Sequence, residues 1–382
     1  MLRPYTLANV QFSYRNRLRP APPCLYNAQR RSIPVVCYGM NIRRYMHSVV
    51  VLSLLLFATS AIAKDRTRGD PAARLLSDEF ATERWEFTAR FDSGHLLFTE
   101  VLITNIGLGD RNAAVIGHIV EPDGTVYEFR NGRREGAWTL SADGLRLQVG
   151  SSFLNQQDPV HNIGVSKRSV RVDLRFRPDG PVVWSDKFTP SGYALDLLDA
   201  AVPVEGTLWA RGMKEPVSVR GTAAFTHSWV SKAESDVLLR RVEFFSLQGD
   251  YALYFVDLTS PKGSRSRWLV VTHQGRVVYE TPNFALSLDG TAEKSKGYTV
   301  PGMLQLKSEK TAGQIQLDRV LLRYNPLDDL PQPFRWLVSL KARPQRAWAL
   351  SPFEVSFRPD PNQAPIRLRG TGVTTVSFLN RM

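Results

Sequence analysis

One half of this chain echoes the other. Arg84-Trp85-Glu86-Phe87, followed by Leu96, Phe98 and Glu100, returns as Arg241-Val242-Glu243-Phe244, followed by Leu253, Phe255 and Asp257, at a constant offset of 157 residues. Gly124-Thr125-Val126-Tyr127-Glu128 has a looser echo in Gly275-Arg276-Val277-Val278-Tyr279-Glu280. Pro216-Val217-Ser218-Val219-Arg220-Gly221-Thr222 is matched by Pro365-Ile366-Arg367-Leu368-Arg369-Gly370-Thr371 at an offset of 149. Three echoes in one order mark a tandem duplication, so the fold must be one that a unit of about 150 residues can build twice.

The local pattern within each unit is that of strands. Val170, Val172, Leu174 and Phe176 alternate with Arg171, Asp173, Arg175 and Arg177, the period of a sheet with one wet face. Pro122-Asp123-Gly124, Asp143-Gly144, Pro178-Asp179-Gly180 and Asp289-Gly290 supply turns between such runs. Residues 71–84 are the one stretch with a helical look. An all-β chain of two fused antiparallel barrels follows, because closure removes exposed edges; stacked sandwiches are the alternative.

Composition excludes several chemistries. Of 49 Lys and Arg residues, eight lie in residues 1–63, where there is no acid, leaving 41 basic against 36 acidic groups in the body. Export and this near balance argue against nucleic acid as a partner. Cys24 and Cys37 both lie upstream, so the body has no thiol for disulfides, zinc or nucleophilic catalysis. The body's histidines, His95, His118, His161, His227 and His273, show no metal-ligand spacing, so neither a metal nor another cofactor is expected.

Arg43-Arg44, the uncharged run Ser48–Ser60 and Ala61-Ile62-Ala63 read as a secretory signal peptide, too short an apolar run to span a bilayer. The expected cut follows Ala63, with Met40 or Met46 as the start. An organelle transit peptide is the alternative. The expected organisation is a leader over 1–63, a linker over 64–79, a first barrel over 80–232 and a second over 233–382, in a periplasmic or secreted protein.

The strand from Leu96 to Ile103 is apolar on both faces, and so is its counterpart from Tyr251 to Thr259. Such a strand needs apolar contact on both sides. The sister barrel or an N-terminal segment could supply it, and so could an internal cavity holding a hydrophobic ligand. Phe98, Glu100, Phe255 and Asp257 are the candidate ligand-binding residues on these strands. The two acids could meet a ligand's amine or hydroxyl, or pair with the equivalent Arg84 and Arg241.

Glu83-Arg84-Trp85-Glu86-Phe87, Asp92-Ser93-Gly94-His95-Leu96-Leu97-Phe98-Thr99-Glu100-Val101 with Asn105, and Gly221-Thr222-Ala223-Ala224-Phe225-Thr226-His227-Ser228-Trp229 resemble the paired lipocalin-like domains of the carotenoid 1,2-hydratase, AttH-like and yeast survival-factor superfamily. The resemblance implies two fused lipocalin-like barrels that hydrate an isoprenoid double bond or bind and carry lipid. It places the hydratases' His-x-Trp pair on His227 and Trp229, and the tyrosine of their Tyr-x-Asp pair on Tyr254. Val256 stands where the acid of that pair belongs, which weighs against hydration. Asp257 is adjacent but falls on the opposite face.

The reading that results is an exported carrier of a lipid or isoprenoid, with a hydratase-like enzyme second and a structural envelope protein third. His227 has a plainer role open to it, bonding the backbone at the junction of the repeats. Two basic groups, Arg130, Arg133 and Arg134, and Lys262, Arg265 and Arg267, read as solvated loops, with contact to an anionic membrane surface as their functional option.

Overall fold

The computed structural model describes residues 69–106, 109–157, 159–178, 190, 192–295, 298–329, 332, 334–360 and 362–379. The expected signal peptide, its expected cleavage site and both cysteines lie outside the described residues. The alternating runs form strands β1 (Thr82–Phe91), β2 (Leu96–Thr104), β3 (Asn112–Val120), β4 (Val126–Arg133), β5 (Thr139–Leu140), β6 (Arg146–Val149), β7 (Ser152–Asn155), β8 (His161–Ser166), β9 (Val170–Phe176), β10 (Tyr193–Ala210) and β11 (Val217–Val230). A single turn of helix, α1 (Glu234–Val237), leads to the second repeat. There follow β12 (Arg240–Gln248), β13 (Tyr251–Thr259), β14 (Arg265–His273), β15 (Arg276–Thr281), β16 (Ala285–Asp289), β17 (Glu293–Ser295), β18 (Tyr298–Val300), β19 (Met303–Lys307), β20 (Thr311–Gln316) and β21 (Arg319–Tyr324). The chain ends in α2 (Phe334–Lys341), β22 (Gln345–Phe357) and β23 (Ile366–Phe378).

The duplication is visible in the topology. In the first sheet β4, β3, β2, β1, β11, β10 and β9 lie side by side, and in the second the order is β15, β14, β13, β12, β23 and β22. In each repeat the first strand pairs antiparallel with both the second strand and the last. Each sheet curls on itself, giving the two fused lipocalin-like barrels expected from the sequence.

Both barrel interiors are filled by their own side chains. In the first, Phe87, Phe176 and Phe225 meet with ring centroids 4.8 to 6.0 Å apart. In the second, Phe244 lies 5.7 Å from Phe255 and 5.2 Å from Phe353. A third apolar layer, including Leu96, Phe98, Leu195, Tyr254, Val256 and Trp348, lies between the barrels. The two greasy faces of β2 are thereby explained: Leu97, Val101 and Ile103 fill the first barrel, while Leu96 and Phe98 pack toward the second.

Residues 71–84 are not helical. The chain runs irregularly from Gly69 to Ala81 and then enters β1. Its amide groups are taken by side chains and distant carbonyls, which leaves no helical ladder. The Arg74 and Leu75 N–H groups donate to the Glu83 carboxylate, and the Ala73 N–H donates to the Gly144 carbonyl. Trp85 Nε1 and Gln156 Nε2 both donate to the Pro71 carbonyl. The described part of the expected linker is thus a strap fastened to the first barrel.

Candidate functional site

The hairpins at the start of the repeats differ by a small change in turn length, and this sets which side chains face each other. Glu86 lies opposite Glu100 across β1 and β2, whereas Glu243 lies opposite Val256 across β12 and β13. The structural counterpart of Phe98 is therefore Tyr254, and that of Glu100 is Val256. The expected equivalence of Glu100 with Asp257, and of Phe98 with Phe255, does not hold. A slip of one residue moves a whole strand's side chains to the other face.

Of the four candidate ligand-binding residues, Phe98 and Glu100 face the space between the barrels, while Phe255 is sealed in the second barrel's core. Asp257 is fully buried and accepts hydrogen bonds from Arg265 and Arg267, at 2.9 to 3.0 Å. Arg240 stands 3.8 Å away. Those arginines also donate to the Phe284 and Leu286 carbonyls, so the second basic group braces β14 against the chain near β16. In the first group Arg130 pairs with Glu128.

Of the residues matched to the hydratases, His227 and Trp229 meet with ring centroids 5.1 Å apart, but Tyr254 stands apart from them. His227 and Trp229 alternate with the outward-facing Thr226 and Ser228 of β11, and His227 lies across from Trp85 on the first barrel's inner side. There His227 is fully buried, stacks on Trp85 at 4.6 Å between centroids and contacts Glu83 through Nε2 at 2.9 Å. Trp229 lies under the Arg74 guanidinium. Tyr254, in contrast, faces the inter-barrel layer and donates to Glu243 at 2.5 Å.

The concave site is the cleft that Tyr254 faces, lined on one side by Glu86, Phe98, Glu100 and His118 and on the other by Glu243, Tyr324, Arg346 and Trp348. Phe98 stacks on Trp348 at 5.0 Å, and His118 meets Tyr324 edge-on at 5.3 Å. The cleft is narrow, with a cavity volume of about 50 Å³. A wider depression at the end of the first barrel, bounded by Arg175, Arg177 and Arg220, has fewer buried side chains converging on it.

Beneath the aromatic walls lies a network of ions that joins the barrels. Arg84 contacts Glu234 at 2.7 Å and Glu100 at 3.6 Å. Arg241 reaches Glu86 at 2.6 Å and Glu243 at 2.7 Å, and Arg346 reaches Glu100 at 2.8 Å and Glu86 at 3.0 Å. The contact of Glu86 Oε2 with Arg241 is short but lacks hydrogen-bond direction, since that oxygen has no hydrogen-bond partner. Burial disfavours the Glu86 carboxylate, yet Arg241, Arg346 and Arg84 outweigh it and pull its pKa down to about 2. Burial, working against the attraction of Glu128, lowers His118 to about 4. Burial and the neighbouring Glu243 push the Tyr254 phenol well above its ordinary range.

Sequence reasoning missed His118, Tyr324, Arg346 and Trp348. His118 had no partner in sequence spacing, and the other three come from strands far along the chain. Glu86 and Glu243 stood in the repeated motif, where their equivalence was the available signal.

The fold and the cleft define a tandem lipocalin-like protein whose candidate site lies between its barrels. No family model matches the chain, and no curated protein matches it in sequence. Among solved structures, an AttH-type protein of Nitrosomonas europaea is similar with a TM-score of 0.58 at 13% identity, over 78% of this chain and 92% of that one. CghA in complex with Sch210972 gives 0.56 at 12% identity, over 83% and 96%. Kievitone hydratase of Nectria haematococca gives 0.53 at 11% identity, over 82% and 96%. At these identities the likeness is one of fold.

Proposed function

We propose that this chain is exported and binds a small, largely apolar molecule of the lipid or isoprenoid class in the cleft between its barrels. The observation that carries this reading is the contrast between two barrel interiors packed with phenylalanine and an interface where aromatic faces converge with buried ionic groups. Pockets for organic ligands are typically of about 300 Å³ or more. Entry therefore requires the stacked Phe98 and Trp348 to part.

Hydration of a double bond is the second reading, favoured by the fold shared with kievitone hydratase and by a neutral imidazole, His118, in the cleft. Protonating an alkene carbon needs an acid that holds its proton at working pH. Glu86 is ionised there, and the Tyr254 phenol is a weaker acid than usual. Binding without chemistry suits these groups better.

The test is mass spectrometry of organic extracts from the full chain, expressed with its leader and purified without detergent. A molecule present in stoichiometric amount, and lost in Ala224→Leu, which narrows the cleft with an apolar group, is the expected result. A folded wild type that carries nothing and takes up no added lipid would overturn the reading. A bound species heavier by one water than its precursor would put hydration first.

A further inference from the structure

The charges around the cleft do not balance. Three of the lining residues, Glu86, Glu100 and Glu243, carry carboxylates, and one, Arg346, carries a guanidinium. Arg84, Arg241 and Glu234 complete the connected network. By formal charge that is four carboxylates against three guanidiniums, and His118, held near 4, adds no positive charge at neutral pH.

An anion entering such a place would give up its hydration and meet a net negative field. A cation or a hydroxyl would instead find acceptors. Glu86 Oε2 is buried and, although Arg241 stands 2.6 Å away, that contact is poorly directed, so a donor on the ligand could compete for the oxygen. Once the stacked Phe98 and Trp348 part, their faces and that of Tyr324 become available to an ammonium group, whose charge an aromatic face attracts. Arg346 already lies 5.6 Å over the Trp348 ring in this way.

Resting on the reading of the cleft as the binding site, we propose that its ligand ends in a hydrogen-bond donor, an amine or a hydroxyl, and that carboxylates and phosphates are excluded. Isoprenoid or long-chain alcohols and amines then fit, whereas free fatty acids and phospholipid head groups do not. This selectivity runs against the chain's overall charge. With 41 basic against 36 acidic residues beyond residue 63, unspecific surface attraction would if anything favour anions.

Isothermal titration of the full chain at pH 7 with decylamine, decanol and decanoate tests this, since the three share a tail and differ only at the head. The amine is expected to bind at least about tenfold tighter than the acid, with the alcohol between them. Glu100→Gln should shrink that ratio, and Ala224→Leu should abolish binding of all three. Decanoate binding as tightly as decylamine would overturn the selectivity while leaving a binding protein. Decylamine binding to a folded Ala224→Leu undiminished would instead put binding outside the cleft and overturn the reading on which the selectivity rests. If none of the three binds, the reading of the cleft falls and the selectivity with it.

Discussion

Glu86 of the first barrel and Arg241 of the second stand 2.6 Å apart in the layer between the barrels. They come from equivalent ends of the two repeats, and each also has a second partner across or along the interface, Arg346 for Glu86 and Glu243 for Arg241. Removing one member of a buried pair strands the other's charge, at a cost of about 3–5 kcal/mol. Arg241→Met should therefore lower the unfolding free energy in urea by about that much. Replacing a residue of an exposed pair, as in Glu205→Gln, should change it by less than about 1 kcal/mol.

Acid should destabilise the fold in two stages. The folded-state pKa of His118 is about 4 against an ordinary 6.5, so the unfolded chain binds more protons in between, and stability falls as pH drops from 6.5 to 4. The shift corresponds to a loss on the order of 3 kcal/mol. Burial lowers His161 to about 4 as well, adding to the same window. Glu86, depressed from 4.5 to about 2, gives stability present above 4.5 that is lost as pH falls through 2. Unfolding curves across pH should show both stages, and His118→Phe should make the first shallower, leaving the part that His161 contributes.

Two glycines at equivalent places in the repeats should differ in tolerance. A Cβ on Gly221 would overlap the Arg90 carbonyl oxygen and the Phe91 Cα, both backbone. On Gly370 the one overlap would be with the movable end of Gln248, and the Phe353 ring would stand at an ordinary contact distance of 3.5 Å. Gly221→Ala should cost roughly 3 kcal/mol and Gly370→Ala under about 1 kcal/mol, read as chemical-denaturation midpoints.

The strap depends on Glu83, which holds the Arg74 and Leu75 amides as well as His227. His227→Val copies the second barrel, where Val376 sits across from Val242. It removes the donor to Glu83 and the stack on Trp85, at a cost of about 2 kcal/mol. Limited proteolysis should then cut between Gly69 and Ala81 faster than in the wild type, while cleavage in the second barrel stays unchanged.

The barrels were legible because they rest on short-range signals. Period-two runs such as Val170–Phe176 keep their alternating burial, and the doubly apolar β2 does pack against the sister barrel. The site was legible only in part. Phe98, Glu100 and Tyr254 reach the cleft, but Phe255 and Asp257 were assigned through an offset of 157 that the shorter second hairpin reduces by one. A helix was expected where Glu83 captures the backbone. The longest helix among the described residues, α2, lies instead in the connection between β21 and β22.

The barrels meet through corresponding faces: Arg84 and Glu86 on one, Arg241 and Glu243 on the other. A single unit of this kind would form such an interface with a second copy of itself, and every feature of the shared space would then occur twice about a symmetry axis. Joining the copies in one polypeptide lifts that constraint. Glu100 has Val256 for its counterpart and Phe98 has Tyr254, so the two sides of the cleft no longer match. Fusion thus allows a space born of symmetry to hold a molecule that has a head and a tail.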